Sequence, residues 1–158
     1  RHEPTSFPRT KDAMPVNDTA SWQFVPAELD AVLADKGHNA LLGHRYHAHG
    51  DGWIELVMPW HARIVGNAAQ GSMARGPIMA LLDNTAGVSM WLKRGGYLPQ
   101  VTVDLRCDYL RPTKPGADLI CRCECVSLAG AIAYARGIAY ETTPDDPACL
   151  VASAYMLL

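Results

Sequence analysis

No block of like charge interrupts this 158-residue sequence, and 14 Lys+Arg against 16 Asp+Glu leave a formal charge of −2. The electrostatic footprint of a nucleic-acid or anionic-membrane binder is therefore missing. No apolar run reaches the ~18 residues of a membrane-spanning helix. No G-x-S-x-G elbow announces a serine nucleophile, and no glycine-rich loop offers a phosphate cradle. Internal repeats and low-complexity tracts are absent too. What is present, 49% hydrophobic and 19% charged residues, suits one folded domain with a sizeable core.

Cysteine is sparse and odd in number: Cys107, Cys121, Cys123, Cys125 and Cys149. Three of them form C-R-C-E-C, a spacing that lines them along one face of a strand, whereas zinc sites favour C-x2-C turns whose ligands converge. They read as small buried residues in a reducing compartment, so a cytoplasmic location is expected and a metal or disulfide framework is disfavoured. In HRYHAH, strand alternation puts His47 and His49 on one face and His44 on the other, with no third ligand, so these read as polar strand positions. Trp53 and Trp60 read as core or interface aromatics.

Residues 1–22 hold prolines and charges without a period and read as an arm, leaving 23–158 as the domain. PAELDAVLADKG carries Leu29, Val32 and Leu33 at helical spacing and stops at Gly37. ALLGHRYHAH and WIELVMPW, joined by HGDG, read as a strand hairpin. A helix of about eighteen residues follows, from Gly76-Pro77 to Arg94-Gly95-Gly96, with proline in its first turn and glycine past its last. Four strands close the chain. VTVDLRCDYL is expected to place Val101, Val103, Leu105, Cys107 and Tyr109 on one face. AIAYARGIAY puts Ala131, Ala133, Ala135, Gly137 and Ala139 on one face, a surface small enough for something bulky to approach closely. Only the long helix is large and apolar enough to fill that space. The order helix, strand, strand, long helix, four strands therefore predicts an α+β domain with one antiparallel sheet curled around a central helix.

On that helix Ile78, Leu81, Leu82, Thr85, Val88, Ser89 and Leu92 share the face expected to meet the sheet. Met79, Ala86 and Met90 make a second apolar stripe, with Asp83 beside it. A helix apolar on two sides needs a second partner, and a second copy of the chain is the expected source. A carboxylate partly desolvated there is either paired, protonated or functional; the bland alternative is a helix-edge acid with structural hydrogen bonds. The lead-in GSMARGP supplies free N–H groups and the positive end of the helix dipole, a place for a negative oxygen. Together these suggest acyl-transfer chemistry. The carboxylate lies about two turns from the helix start, and a two-fold dimer would bring the aspartate of one chain to the helix start of the other.

GSMARGPIMALLD and TVDLRCDYLRP resemble the motifs of the hotdog-fold acyl-CoA thioesterases, specifically the phenylacetic-acid-pathway type, whose pattern is N-x(5)-H-G-G-x(6)-D followed by S/T-V-D-L and Y-x-x-P. The resemblance runs from about Leu41 to the C-terminus. It implies a long helix wrapped by an antiparallel sheet, a homodimer or dimer of dimers, and sites at the dimer interface. It implies hydrolysis of a small or medium, or aromatic, acyl-CoA, with coenzyme A as part of the substrate and no separate cofactor or metal. Asp83 falls on the family's acid, general base for water or nucleophile. A backbone N–H of Arg75-Gly76 falls where the thioester carbonyl is polarised, and Thr102 where a hydroxyl orients the attacking water. Two positions depart from the pattern. H-G-G reads Ala74-Arg75-Gly76, and the asparagine falls on Ala68, with Asn67 one position away and serving if the loop carries one extra residue. Arg75 either obstructs the acyl pocket or binds a substrate carboxylate or a coenzyme A phosphate. Two rival readings follow from the departures and from the fold: a non-catalytic acyl-CoA binder, and a hydratase, which is ranked lower because no histidine follows His61.

Overall fold

The structure, a computed structural model, describes residues 23–35, 37–97 and 99–157. The arm expected over 1–22 lies outside the described residues. From Leu29 onward the chain forms α1 (Leu29–Asp35), α2 (Gly37–Leu42), β1 (Arg45–Gly50), β2 (Trp53–Met58), β3 (Val65–Asn67), β4 (Ser72–Met73), α3 (Arg75–Arg94), β5 (Gln100–Tyr109), β6 (Leu119–Ala129), β7 (Ile132–Tyr140) and β8 (Cys149–Leu157). Six strands make one antiparallel sheet in the order β1-β2-β6-β7-β8-β5, and β3 pairs with β4 in a separate hairpin.

Helix α3 lies across this sheet and touches β2, β5, β6, β7 and β8. The small face of β7 permits it: Ala133, Ala135 and Ala139 are buried, as are Cys121, Cys123 and Cys125 beside them on β6. All five cysteines are free thiols. From the helix, Ile78, Leu81, Leu82, Thr85, Val88 and Ser89 are buried against the sheet. The two hydroxyls in this apolar contact are satisfied within the helix, Thr85 donating to the Leu81 carbonyl at 2.7 Å and Ser89 to that of Ala86 at 2.6 Å. Gly95 ends α3 in the left-handed region at φ 71, and its N–H bonds back to Trp91 and Leu92.

Four expectations need correction. The stretch ALLG is not strand: Gly37, at φ 81, turns the chain into the short helix α2, and β1 begins only at Arg45. The β3–β4 hairpin, too short for a readable period, fills the approach to α3. A one-residue bulge in β5, between Thr102 and Asp104, breaks the alternation, so Val101 points away from the face shared by Leu105 and Cys107, and Val103 is 59% exposed. Finally, Ala86 and Met90 are both fully buried within the protomer. The sheet curls far enough for Gln100 and Tyr155 to lie over the helix at Gly87. The second apolar stripe of α3 is therefore mostly covered by its own chain, and self-association has to be argued from elsewhere.

Candidate active site

Asp83 sits two turns into α3, half-buried under the β5 edge of the sheet. The bulge decides its partners. With the extra residue in β5, Thr102 pairs with Tyr155 of β8 and both side chains face the helix. The Thr102 hydroxyl donates to Asp83 Oδ1 at 2.9 Å. The Tyr155 hydroxyl reaches the same Oδ1 at 2.7 Å and the Asp83 carbonyl oxygen, also at 2.7 Å. Burial, then the Asp83 charge and hydrogen bond, push the Tyr155 phenol far above its ordinary value, so it remains a proton donor throughout. No cation among the described residues forms an ion pair with Asp83. Its Oδ2 accepts no hydrogen bond from them.

The start of α3 is built differently. Its N-cap is Ala74, which has no capping side chain, and the first turn holds no acid. The Ala74 N–H is taken by the Ile64 carbonyl at 2.7 Å. A Cβ on Gly66 would come within 2.7 Å of Ala74 Cα, so β3 closes on the lead-in only because position 66 has no side chain. The N–H groups of Arg75 and Gly76 make no hydrogen bond to the described residues. Gly76 faces open space, with nothing within 4 Å of where a Cβ would stand. These are the orphan donors of a helix start with no side-chain cap.

A cleft of about 660 Å³ opens at this end of the helix, lined among others by Asn67, Gln70, Arg75, Ile78, Tyr109 and Arg111. Its wall is fixed by Arg111, whose Nη1 and Nη2 grip the Glu141 carboxylate at 3.0 and 2.6 Å while Nε meets Asp146 at 3.0 Å. Asn67 lines the cleft but is occupied with its own turn: Oδ1 accepts the N–H groups of Ala69 and Gln70, and Nδ2 donates to Gln70 Oε1.

The five residues singled out from sequence thus fall into two groups. Asp83 and Thr102 meet; Arg75, Gly76 and Asn67 gather at or beside the helix start. Seven residue steps of helix separate Gly76 from Asp83, a rise of about 10 Å, so within one chain the two groups are too far apart to act on one atom. Tyr155 was not foreseen, although its signal was available: it occupies the inward phase of the last strand and brings a hydroxyl that needs an acceptor. His44 was read as a strand residue, but it precedes β1, is 1% exposed, and lies with Nδ1 at 3.3 Å from Asn84 Nδ2. Burial, with His38 nearby, lowers it to about 4. The β1 bulge at His47 removes that residue from the face of His49. Among the described residues no group of three His, Cys, Asp or Glu is placed to hold a metal ion, and no helix is long and apolar enough to cross a membrane.

Comparison with known families settles what kind of frame this is: the thioesterase superfamily profile matches residues 70–148, half of the chain. The chain belongs to the thioesterase superfamily. Its match takes in Asp83, Thr102, the strands β5 to β7 and the cleft apart from Gly66 and Asn67. Solved thioesterase-fold structures superpose over most of their length. A Pseudomonas aeruginosa protein is 29% identical, with a TM-score of 0.74, covering 84% of this chain and 98% of its own. A Haemophilus influenzae thioesterase is 19% identical, with a TM-score of 0.76 over 87% of this chain and 94% of its own. The Escherichia coli protein of the phenylacetic acid degradation operon is 16% identical, with a TM-score of 0.70 over 84% and 94%. No curated protein matches. The architecture of this thioesterase-superfamily chain is the hotdog fold.

Proposed function

We propose that the protein hydrolyses acyl-CoA thioesters as a homo-oligomer, at sites assembled from two chains. The observation that carries this reading is the wiring of Asp83. Two neutral hydroxyls hold Oδ1, no cation among the described residues neutralises the carboxylate, and Oδ2 is left to take a proton from water. In this reading a water attacks the thioester carbon as Asp83 accepts its proton. The carbonyl oxygen, turning anionic, is held by the Arg75 and Gly76 N–H groups at the start of the facing chain's α3. The tetrahedral intermediate then collapses and expels coenzyme A as the thiolate, which takes up the proton.

Support for a two-chain site comes from the 10 Å separation and from β5 itself. This ten-residue strand forms one edge of the sheet, carries Thr102, and pairs with no described strand on its outer side, with Val101 41% and Val103 59% exposed. Pairing of two such edges brings each Asp83 toward the other chain's cleft.

The test is thiol release from a panel of short, medium, long and aromatic acyl-CoAs. Asp83→Asn is expected to lower the rate by on the order of 10²–10⁴-fold. Binding of the esters without release by either protein would overturn the enzyme reading in favour of an acyl-CoA binder. The shared site has its own check. Mixed oligomers of Asp83→Asn with Gly76→Val, a change that crowds the helix start, are expected to regain activity that neither variant shows alone. In the hybrid one site carries both defects and the other carries none. No recovery on mixing would place both groups in one chain.

A further inference from the structure

Arg75 is badly placed for stability. It is a cation in the first turn of α3, at the positive end of the helix dipole, while the acids that favour that end are absent. Its guanidinium forms no ion pair with any described residue and rests 5.4 Å from the centroid of the Tyr109 ring, whose hydroxyl donates to the Arg75 carbonyl oxygen at 3.4 Å. The second arginine of the cleft, Arg111, is neutralised by Glu141 and Asp146. Among the described residues no Asp or Glu lines the cleft. The cleft therefore holds one uncompensated positive charge beside apolar surface from Met73, Ile78, Leu110 and Pro112. We infer that Arg75 selects an acyl group that ends in a carboxylate, making the substrates short dicarboxylic acyl-CoAs.

This inference rests on the thioesterase reading above, and that reading limits what Arg75 can touch. The guanidinium is tethered by three methylenes to the residue whose own N–H is assigned to the thioester carbonyl. A carboxylate a few carbons along the acyl chain lies within that reach. The phosphates of coenzyme A lie on the other side of the sulfur, beyond the whole pantetheine arm. A guanidinium freed of protein acids, presented by a stacked tyrosine, is suited to the two-pronged grip on a carboxylate. The apolar lining suits the methylenes between.

The experiment compares chains of equal length: glutaryl-CoA against pentanoyl-CoA and adipyl-CoA against hexanoyl-CoA, each with an enzyme-free blank. The readout is the ratio of kcat/KM for the charged ester to that for the neutral one. The wild type is expected to prefer the charged ester by about tenfold or more, the scale of one charge-assisted pair. Arg75→Met retains the peptide N–H and is expected to lower the ratio by at least about tenfold, with Arg75→Lys in between. A wild-type ratio near one overturns the inference and leaves the thioesterase reading standing. So does an Arg75→Met variant that slows every ester alike, since the shared coenzyme A would then be the partner. If no ester is hydrolysed, the thioesterase reading fails, and calorimetric affinities of the same pairs decide: tighter binding of glutaryl-CoA that Arg75→Met abolishes supports the carboxylate site, and equal affinities overturn it.

Discussion

Asp83 and Glu55 are both carboxylates drawn off the open surface, and each is held by a tyrosine hydroxyl, but their surroundings differ in charge. Glu55, 3% exposed on the sheet face away from α3, receives Tyr140 and the Arg122 guanidinium, with Nε at 2.7 Å and Nη2 at 2.7 Å, and His47 Nε2 stands 3.9 Å from its other oxygen. Arg122 is itself fixed over Trp53, 4.1 Å from the ring centroid. Asp83 has the tyrosine and a threonine and, among the described residues, no cation. Glu55 is neutralised: three donors, two of them from one guanidinium, converge on Oε1, while Oε2 has only His47, beyond hydrogen-bond distance. Asp83 is oriented without being neutralised, and one oxygen is unused. Stability accounts for the first arrangement. It does not account for the second, because drawing a carboxylate even partly out of water without a counter-charge costs free energy.

The sharpest way to break this comparison is to remove each charge and read two quantities. Asp83→Asn is expected to abolish most turnover, by on the order of 10²–10⁴-fold, while leaving the melting transition nearly unmoved. Glu55→Gln should do the reverse. It leaves Arg122 without a counter-charge, and because Arg122 keeps partial solvent access the loss is expected at about 2–3 kcal/mol rather than the larger cost of a fully buried orphan. Denaturant unfolding measures it, and activity per folded molecule should hold. Equal loss of activity in both variants would show that the two carboxylates are not different in kind.

Asp83 was legible from the sequence because a lone acid inside an apolar helix breaks a period that everything around it keeps. Glu55 was not, since in WIELVMPW a single glutamate is what a strand with one wet face shows, and only the register that sets it against Arg122 reveals its burial. The helix and the late strands could be read for a related reason: their periods are long enough to survive local irregularity. The contact between Thr102 and Asp83 depends on a bulge that no period announces. Strict alternation from Leu105 puts Thr102 on the wrong face, and the family resemblance, not the pattern, pointed to it. The β3–β4 hairpin and α2 are too short to carry a period at all. Gathering the helix-start residues around one cleft was likewise beyond sequence spacing, because it depends on how Gly66 lets β3 close on Ala74.

A second test asks whether Asp83 truly lacks a cation. A buried base on α3's flank is His44, against Asn84, with His38 as the other titratable group that influences it. Burial lowers it to about 4 from an ordinary 6.5. Its folded value lies below its unfolded one, so the unfolded chain takes up the proton first as pH falls. Stability is therefore full above about pH 6.5, declines as pH falls toward 4, and is flat again below. Between about pH 7 and pH 5 the loss attributable to His44 is on the order of 2 kcal/mol. Substituting His44 with Asn is expected to flatten that part of the stability–pH curve. A His44 that charges in the folded state near pH 6, seen by its ring proton shifts, would supply Asp83's neighbourhood with a cation and weaken the distinction from Glu55.

The smallest expected effect separates the two tyrosines. Tyr155→Phe removes one of two hydroxyls that aim Asp83, and Tyr140→Phe removes one of several donors to Glu55. Each should cost about 1 kcal/mol of stability, the usual net value of a hydrogen bond. Their consequences for turnover should part. Without Tyr155 the carboxylate keeps Thr102 alone, rotates more freely, and is expected to lose about tenfold in kcat with little change in KM, since the lost constraint orients the base rather than the ester. Tyr140 lies on the opposite face of the sheet, and its loss should leave kcat within twofold or so. Pairing Tyr155→Phe with Thr102→Val sharpens the point. Two donors to one oxygen are partly redundant, so the double variant should lose more than the product of the single losses. Simple multiplicativity would mean that each hydroxyl acts on its own, and that Asp83 is not held between them.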